Sequence, residues 1–204
     1  SGARRDGALL RGVMGHHRAG VDVVATPRSV KPLTALDAGS AGEILALARA
    51  EYSSVVVDLP LAWTDWSHAV LRSSDLIVLV IGPEITDIRR AGRQVRTLRD
   101  NGLDVVPLFL VLNRAARGWG AAARRREPER ALGRSFDAWI TRDNQVFARA
   151  VERGEPVLKA APWSRSNREL GRLADGIARA LARPRDGAMG YRSGRRPFAY
   201  EGAS

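Results

Sequence analysis

Three unbroken aliphatic runs constrain the fold of this chain more than anything else in it. Val55-Val56-Val57, Leu76-Ile77-Val78-Leu79-Val80-Ile81 and Leu108-Phe109-Leu110-Val111-Leu112 are of strand length and show no polar alternation. A strand that is apolar at every position must be covered on both faces, which is the condition of a parallel sheet layered by helices. The segments between the runs are helical in character. Residues 41–50 carry Ile44, Leu45 and Leu47 among good helix formers, and residues 64–71 read as a second helix. Residues 86–101 turn Ile88, Val95 and Leu98 inward and many arginines outward, and Gly102 is a natural stop.

The rest of the chain continues this alternation. Strands are expected at 21–25, closed by Thr26-Pro27, at 54–58, 76–81 and 105–112, with a short one at 136–140. The Gly/Arg-rich stretch 114–126 reads as a loop. Helices are expected at 144–153, closed by Gly154, and at 166–183. The latter sets Leu170, Leu173, Ile177 and Leu181 on one stripe, suited to covering a sheet rather than lying on a membrane. The fold class is therefore α/β, a mostly parallel sheet with helices on both faces, formed as one domain over residues 1–183. From Pro184 the sequence is rich in Gly, Arg and Pro, and 184–204 is expected to be a flexible basic tail.

Composition narrows the function classes. The chain has no cysteine, which excludes disulfides and thiolate metal sites. His16, His17 and His68 lack the neighbours that would complete a zinc set. No apolar run reaches the length of a membrane-spanning helix, and a cytoplasmic location is the default expectation. The formal charge of +11 favours acidic partners, nucleic acid and anionic lipid among them, without choosing one. Arg89, Arg90, Arg93, Arg96 and Arg99 gather positive charge on one helix, either as a surface for DNA or a protein partner or as a solvated face flanked by Asp87 and Asp100.

Ligands of parallel α/β sheets bind beyond the carboxyl ends of the strands. Three such ends carry candidate residues. Asp58, before Leu59-Pro60, is either a carboxylate that orients Mg²⁺ through water or a cap for the following turn. Asn113 offers the donor and acceptor that an adenine edge requires, or is a turn-forming residue. Ile140-Thr141-Arg142-Asp143 lines a base pocket or starts a helix with Asp143 as its cap.

Taken in order, these segments resemble the MinD/ParA-type ATPases, closest to the CpaE/TadZ pilus-assembly branch. Val55-Val56-Val57-Asp58-Leu59-Pro60 is similar to the family's switch segment, and Trp66 to the tryptophan that follows it. Val111-Leu112-Asn113-Arg114 is similar to its base-contacting Asn-Arg. Ala131-Leu132-Gly133-Arg134, Ile140-Thr141-Arg142-Asp143 and Gly154-Glu155-Pro156 resemble its C-terminal third. The resemblance spans about residues 8–183 and includes the strand at 21–25. The chain departs from the family in having no Gly-rich Lys-Ser/Thr phosphate loop, in Leu61 where a second Pro is frequent, and in Thr141 where a Pro is frequent.

The resemblance implies a P-loop NTPase-like fold incomplete at its N-terminus, and a chain that is either a piece of a longer protein, the favoured reading, or a degenerate relative that never carried the loop. It implies ATP and Mg as cofactors of that complete protein, with Asp58 orienting metal and water. Pro60, Asn113, Arg114, Thr141 and Asp143 would line the nucleotide. Without the phosphate loop, these residues alone are expected neither to hold ATP tightly nor to hydrolyse it. Implied partners are pilus or secretion-system assembly proteins and a second copy of the chain, at the cell pole or inner membrane surface. DNA, the track of ParA-type relatives, and peripheral membrane contact are the further possibilities.

Overall fold

A computed structural model describes residues 12, 14–25, 36–116 and 121–182, with the helix alone described at 121–125. The expected basic tail lies outside the described residues. Those described belong to two compact units, one up to Ser73 and one from Ser74 onward.

The first unit opens with a hairpin. Strand β1 (Gly15–His17) pairs antiparallel with β2 (Val21–Val23) through a turn at Gly20, whose φ of 78° suits glycine. His16 stands directly opposite Asp22 and bonds its carboxylate, which also accepts from the hydroxyl of Tyr52. The strand expected at 21–25 is thus shorter and has an antiparallel partner. Helix α1 (Ala38–Glu51) starts where Asp37 accepts the Ser40 N–H at 2.9 Å. Helix α2 (Asp65–Ser73) starts with a reciprocal pair: Thr64 N–H donates to Ser67 Oγ at 2.9 Å, and Ser67 N–H to Thr64 Oγ1 at 3.2 Å. The two helices pack on one another.

Residues 54–58 form no strand, which corrects the reading of them as buried β-structure. Val55 and Val57 are exposed and Val56 is 95% exposed. A strand needs a neighbour for its N–H and C=O groups and cover for its faces. Among the described residues no strand pairs with 54–58; β1 and β2 pair with each other.

The second unit holds a parallel sheet in the order β3 (Ile77–Ile81), β4 (Leu108–Ala115), β5 (Ala138–Thr141). Helix α3 (Ile85–Asp100) ends in a reversal in which Gly102 N–H reaches Arg99 C=O and Leu103 N–H reaches Leu98 C=O. The φ of 66° at Gly102 makes that reversal easy for glycine. Strand β4 starts three residues later than expected, because Leu103 to Val106 form a turn closed by Val106 N–H on Leu103 C=O. It also runs on past Leu112 to Ala115.

Helix α4 (Ala121–Leu132) takes up residues 121–126 of the expected loop at 114–126 and tolerates Pro128 within it. Helices α5 (Asn144–Glu152), α6 (Val157–Ala160) and α7 (Arg165–Ala182) complete the unit; the short α6 was not expected.

The two faces of this sheet are read from alternate positions. Ile81, Leu110 and Leu112 gather with Ile88 and Ala91 of α3 and with Phe136, and Leu132 of α4 packs beside them. Phe109, Val111, Ala138 and Ile140 face the other way and pack against Leu170, Leu173, Ile177 and Ala180 of α7. The apolar stripe of α7 thus covers the sheet, as its sequence suggested. Val78 and Val80 align with Phe109 and Val111 yet are exposed, Val80 by 58%. Cover on that face stops at β4.

Candidate functional site

Strands β3, β4 and β5 are parallel, so their carboxyl ends lie side by side, where ligands of such sheets bind. The second of these ends is irregular. Leu112 aligns with Trp139 but Ala115 aligns with Thr141, so three steps along β4 match two along β5. That is a β-bulge, a feature that bends a strand and re-aims its side chains. Inside it sits Arg114 with φ 55°, a left-handed conformation that is unfavourable for a residue with a Cβ.

Asn113 opens the bulge. It is half-buried, and its Oδ1 accepts the Arg114 N–H at 2.9 Å. Among the described residues nothing accepts from its Nδ2, which leaves that amide two donors and one spare lone pair for a ligand. The Arg114 guanidinium lies 3.6 Å from the Asp87 carboxylate in the first turn of α3. Gly82 follows β3 directly beneath this pair. A Cβ there would stand 1.9 Å from Asp87 Oδ2 and 2.8 Å from an Arg114 Nη, so a larger residue would push the ends of these two side chains out of their present places.

The third strand end is tied down. Thr141 is buried, and its N–H and its hydroxyl both donate to the carboxylate of Glu169 on α7, each at 2.7 Å. Arg165 Nε adds a further bond at 2.7 Å. Burial opposes ionisation of Glu169, but these donors outweigh it and hold the carboxyl below the usual glutamate range. Asp143 accepts the Val146 N–H at 3.4 Å as cap of α5, and the Ser166 hydroxyl at 3.2 Å. Of the two readings offered for 140–143, helix capping describes the Asp143 carboxylate, and Thr141 gives both of its donors to Glu169. Sequence reasoning missed Glu169, because Arg165 and Glu169 at helical spacing look like an ordinary surface pair.

The other candidates sit elsewhere. Asp58 and Pro60 belong to the first unit; Asp58 is exposed and makes no hydrogen bond among the described residues, and Pro60 is half-buried. Arg89, Arg90 and Arg93 are exposed on α3 and, like Arg96 and Arg99, have no acidic partner among the described residues. No group of three acidic or histidine side chains among the described residues is placed to hold a metal ion. No helix among them is long and apolar enough to cross a membrane.

A test of fit against Mg-ATP divides its two ends. The strand ends carrying Asn113 and Arg114 fit a nucleobase, because they present amide and guanidinium groups at the edge of a parallel sheet. The triphosphate and its metal find no counterpart, because the sequence has no glycine-rich loop with the lysine and hydroxyl those groups require. No step of phosphoryl transfer is therefore assigned to these residues.

No family model matches the chain, and no curated protein sequence matches it. Solved structures do. The ParA family ATPase of Chlorobium tepidum TLS superposes with a TM-score of 0.74 at 21% identity, over 86% of this chain and 71% of that one. The septum site-determining protein MinD complexed with Mg-ADP from Pyrococcus horikoshii OT3 matches with a TM-score of 0.66 at 17% identity, over 85% and 70%. The MinC:MinD cell division protein complex of Aquifex aeolicus gives 0.66 at 15% identity, over 83% and 68%. These likenesses establish the fold, an α/β arrangement of the P-loop NTPase-like, ParA/MinD kind.

Proposed function

We propose that this chain is part of a ParA/MinD-type ATP-binding protein whose base-contacting side is the end of β4. The observation that carries the reading is Asn113, an amide with unclaimed donors in a bulge at the carboxyl end of a parallel strand. Mg-ADP in the P. horikoshii protein supports nucleotide and Mg as the ligands of the complete molecule. By the resemblance, Asp58 would orient metal and water in that molecule, and Pro60, Thr141 and Asp143 would line its nucleotide. These 204 residues hold no glycine-rich loop with the lysine and hydroxyl that phosphate binding requires, so no hydrolysis is assigned to them.

The order of segments around Asp58, Trp66, Asn113 and Gly154 supports a CpaE/TadZ-like role in placing or assembling a Flp/Tad-type pilus or secretion machine. Its partners are that machine's assembly proteins and, with nucleotide bound, a second copy. The MinC:MinD complex is a precedent for partner docking on this fold. The site of action is the cytoplasmic side of the inner membrane or the cell pole.

Calorimetry with ATP and Mg²⁺ on a version carrying an upstream lysine loop tests this. Binding heat that disappears on Asn113→Ala is the expected result. No heat from a folded extended protein sinks it and leaves a nucleotide-free scaffold of the same fold. A second reading, a ParA-like partition ATPase on DNA, is favoured by the exposed arginines of α3 alone, which have no acidic partner among the described residues. It requires salt-sensitive binding to random duplex DNA, lost when Arg89 and Arg93 are reversed in charge.

A further inference from the structure

Two features meet at the end of β4, a bulge with a left-handed residue in it and an ion pair seated over a glycine. The bulge between Leu112 and Ala115 breaks the register of β4 against β5. Arg114 within it holds φ 55° without being glycine. Its guanidinium crosses toward β3 and meets Asp87 of α3 at 3.6 Å. Beneath the pair lies Gly82, where a Cβ would collide with both side chains. Gly82 directly follows Ile81, which aligns with Leu112, so the guanidinium rests over the end of β3, the strand beside the one that carries Asn113.

A surface ion pair does not by itself explain this arrangement. The Arg114 side chain is 60% exposed and its contact with Asp87 is too long to count as a hydrogen bond. The bulge has a structural return, since it brings Ala115 into register with Thr141 and buries it, but glycine would serve that return better, and an arginine held in this conformation points to function. The chemistry of the group says which function. A guanidinium is planar, stays charged and stacks on aromatic rings, whereas the amide beside it reads a ring edge.

We propose that Gly82 and Asp87 form a seat for Arg114, and that Asp87 is a positioning residue which holds the guanidinium as one wall of a purine site beside Asn113. This rests on the reading of Asn113 as the base contact and adds to it a residue on a different element. Asp87 touches no ligand. It acts through Arg114, by keeping the plane of charge over β3 and out of the space in front of the amide. Gly82 acts by being absent as a side chain.

The test is an NMR titration of the ¹⁵N-labelled 204-residue chain with adenosine 5′-monophosphate, with ribose 5-phosphate as the base-free control. The nucleotide is expected to move the Asn113 side-chain and Arg114 Nε–H signals. Asp87→Asn is expected to weaken binding about three- to fivefold at low salt, the range open to an exposed ion pair. Asp87→Glu is expected to keep the affinity, and Gly82→Ala to lose it as Asp87→Asn does. At about 1 M salt, where screening acts within about 3 Å, the gap between wild type and Asp87→Asn is expected to close.

Wild-type affinity in Asp87→Asn at low salt overturns the proposal. So does a loss that persists at high salt and is not rescued by glutamate, because that marks damage to the fold. Equal movement of Arg114 by ribose 5-phosphate overturns it as well, since the guanidinium then reads phosphate. If the nucleotide moves nothing, or binds equally to Asn113→Ala, the base site itself fails and the seat has no ligand to serve. Loss in Asn113→Ala with no effect of Asp87→Asn leaves the site standing and removes only the seat.

Discussion

Glu169 gathers the N–H and hydroxyl of Thr141 and the guanidinium of Arg165 on one buried carboxylate. Replacing it by alanine strands a buried backbone N–H and a buried hydroxyl, and is expected to cost about 2–3 kcal/mol in chemical denaturation. The same donors hold its carboxyl below the ordinary value of 4.5. The folded state thus favours the ionised form, so this stabilisation is complete above pH 4.5 and fades as the pH falls through the depressed value. Glu169→Gln is expected to flatten that acid limb, and an unchanged pH profile of stability contradicts the assignment. Residue-level legibility followed exposure to this kind of detail. Asn113 and Asp143 were readable as a strand-end amide and a helix cap because short polar side chains act locally. Glu169 was not, since its partner Thr141 is 28 residues away in sequence. The bulge that turns Arg114 was equally invisible, because no glycine marks it.

Helix α7 shows how much an element depends on one position. A Cβ on Gly176 would stand 2.9 Å from the tip of the Phe109 ring in β4, whereas a Cβ on Gly171 of the same helix meets nothing within 4 Å. Gly171→Ala is therefore expected to stabilise by up to about 1 kcal/mol through helix propensity. Gly176→Ala is expected to destabilise by about 1 kcal/mol, because overpacking against Phe109 exceeds the same propensity gain. Thermal melts of the two variants with the same sign contradict the packing of α7 on this face. Periodicity made α1, α2, α3, α5 and α7 legible to within a few residues, since each carries an apolar stripe or a clear stop. Helix α4 was hidden by the glycines and arginines before it and by Pro128, although Ala121 to Ala123 and Leu132 are good helix formers. The run at 54–58 failed in the opposite sense: local propensity was correct for a strand, but pairing is a property of neighbours.

At the scale of the molecule, the aliphatic runs were enough to give the fold class, and the likeness to ParA/MinD structures agrees with it. What they did not give is cover. Val56 and Val80 lie open to solvent, and parallel strands are ordinarily buried. Val56→Thr and Val80→Thr are accordingly expected to change stability by less than about 0.5 kcal/mol while lowering binding of an apolar dye. A large loss of stability in either contradicts their exposure. The central proposal is a purine at the end of β4, beside Asn113, and photolabelling reads it most directly. With 8-azido-adenosine 5′-triphosphate and the version carrying an upstream lysine loop, peptide mapping is predicted to find the label on the segment bearing Asn113-Arg114, with unlabelled ATP preventing it. Label confined to other segments, or unaffected by competing ATP, contradicts the account.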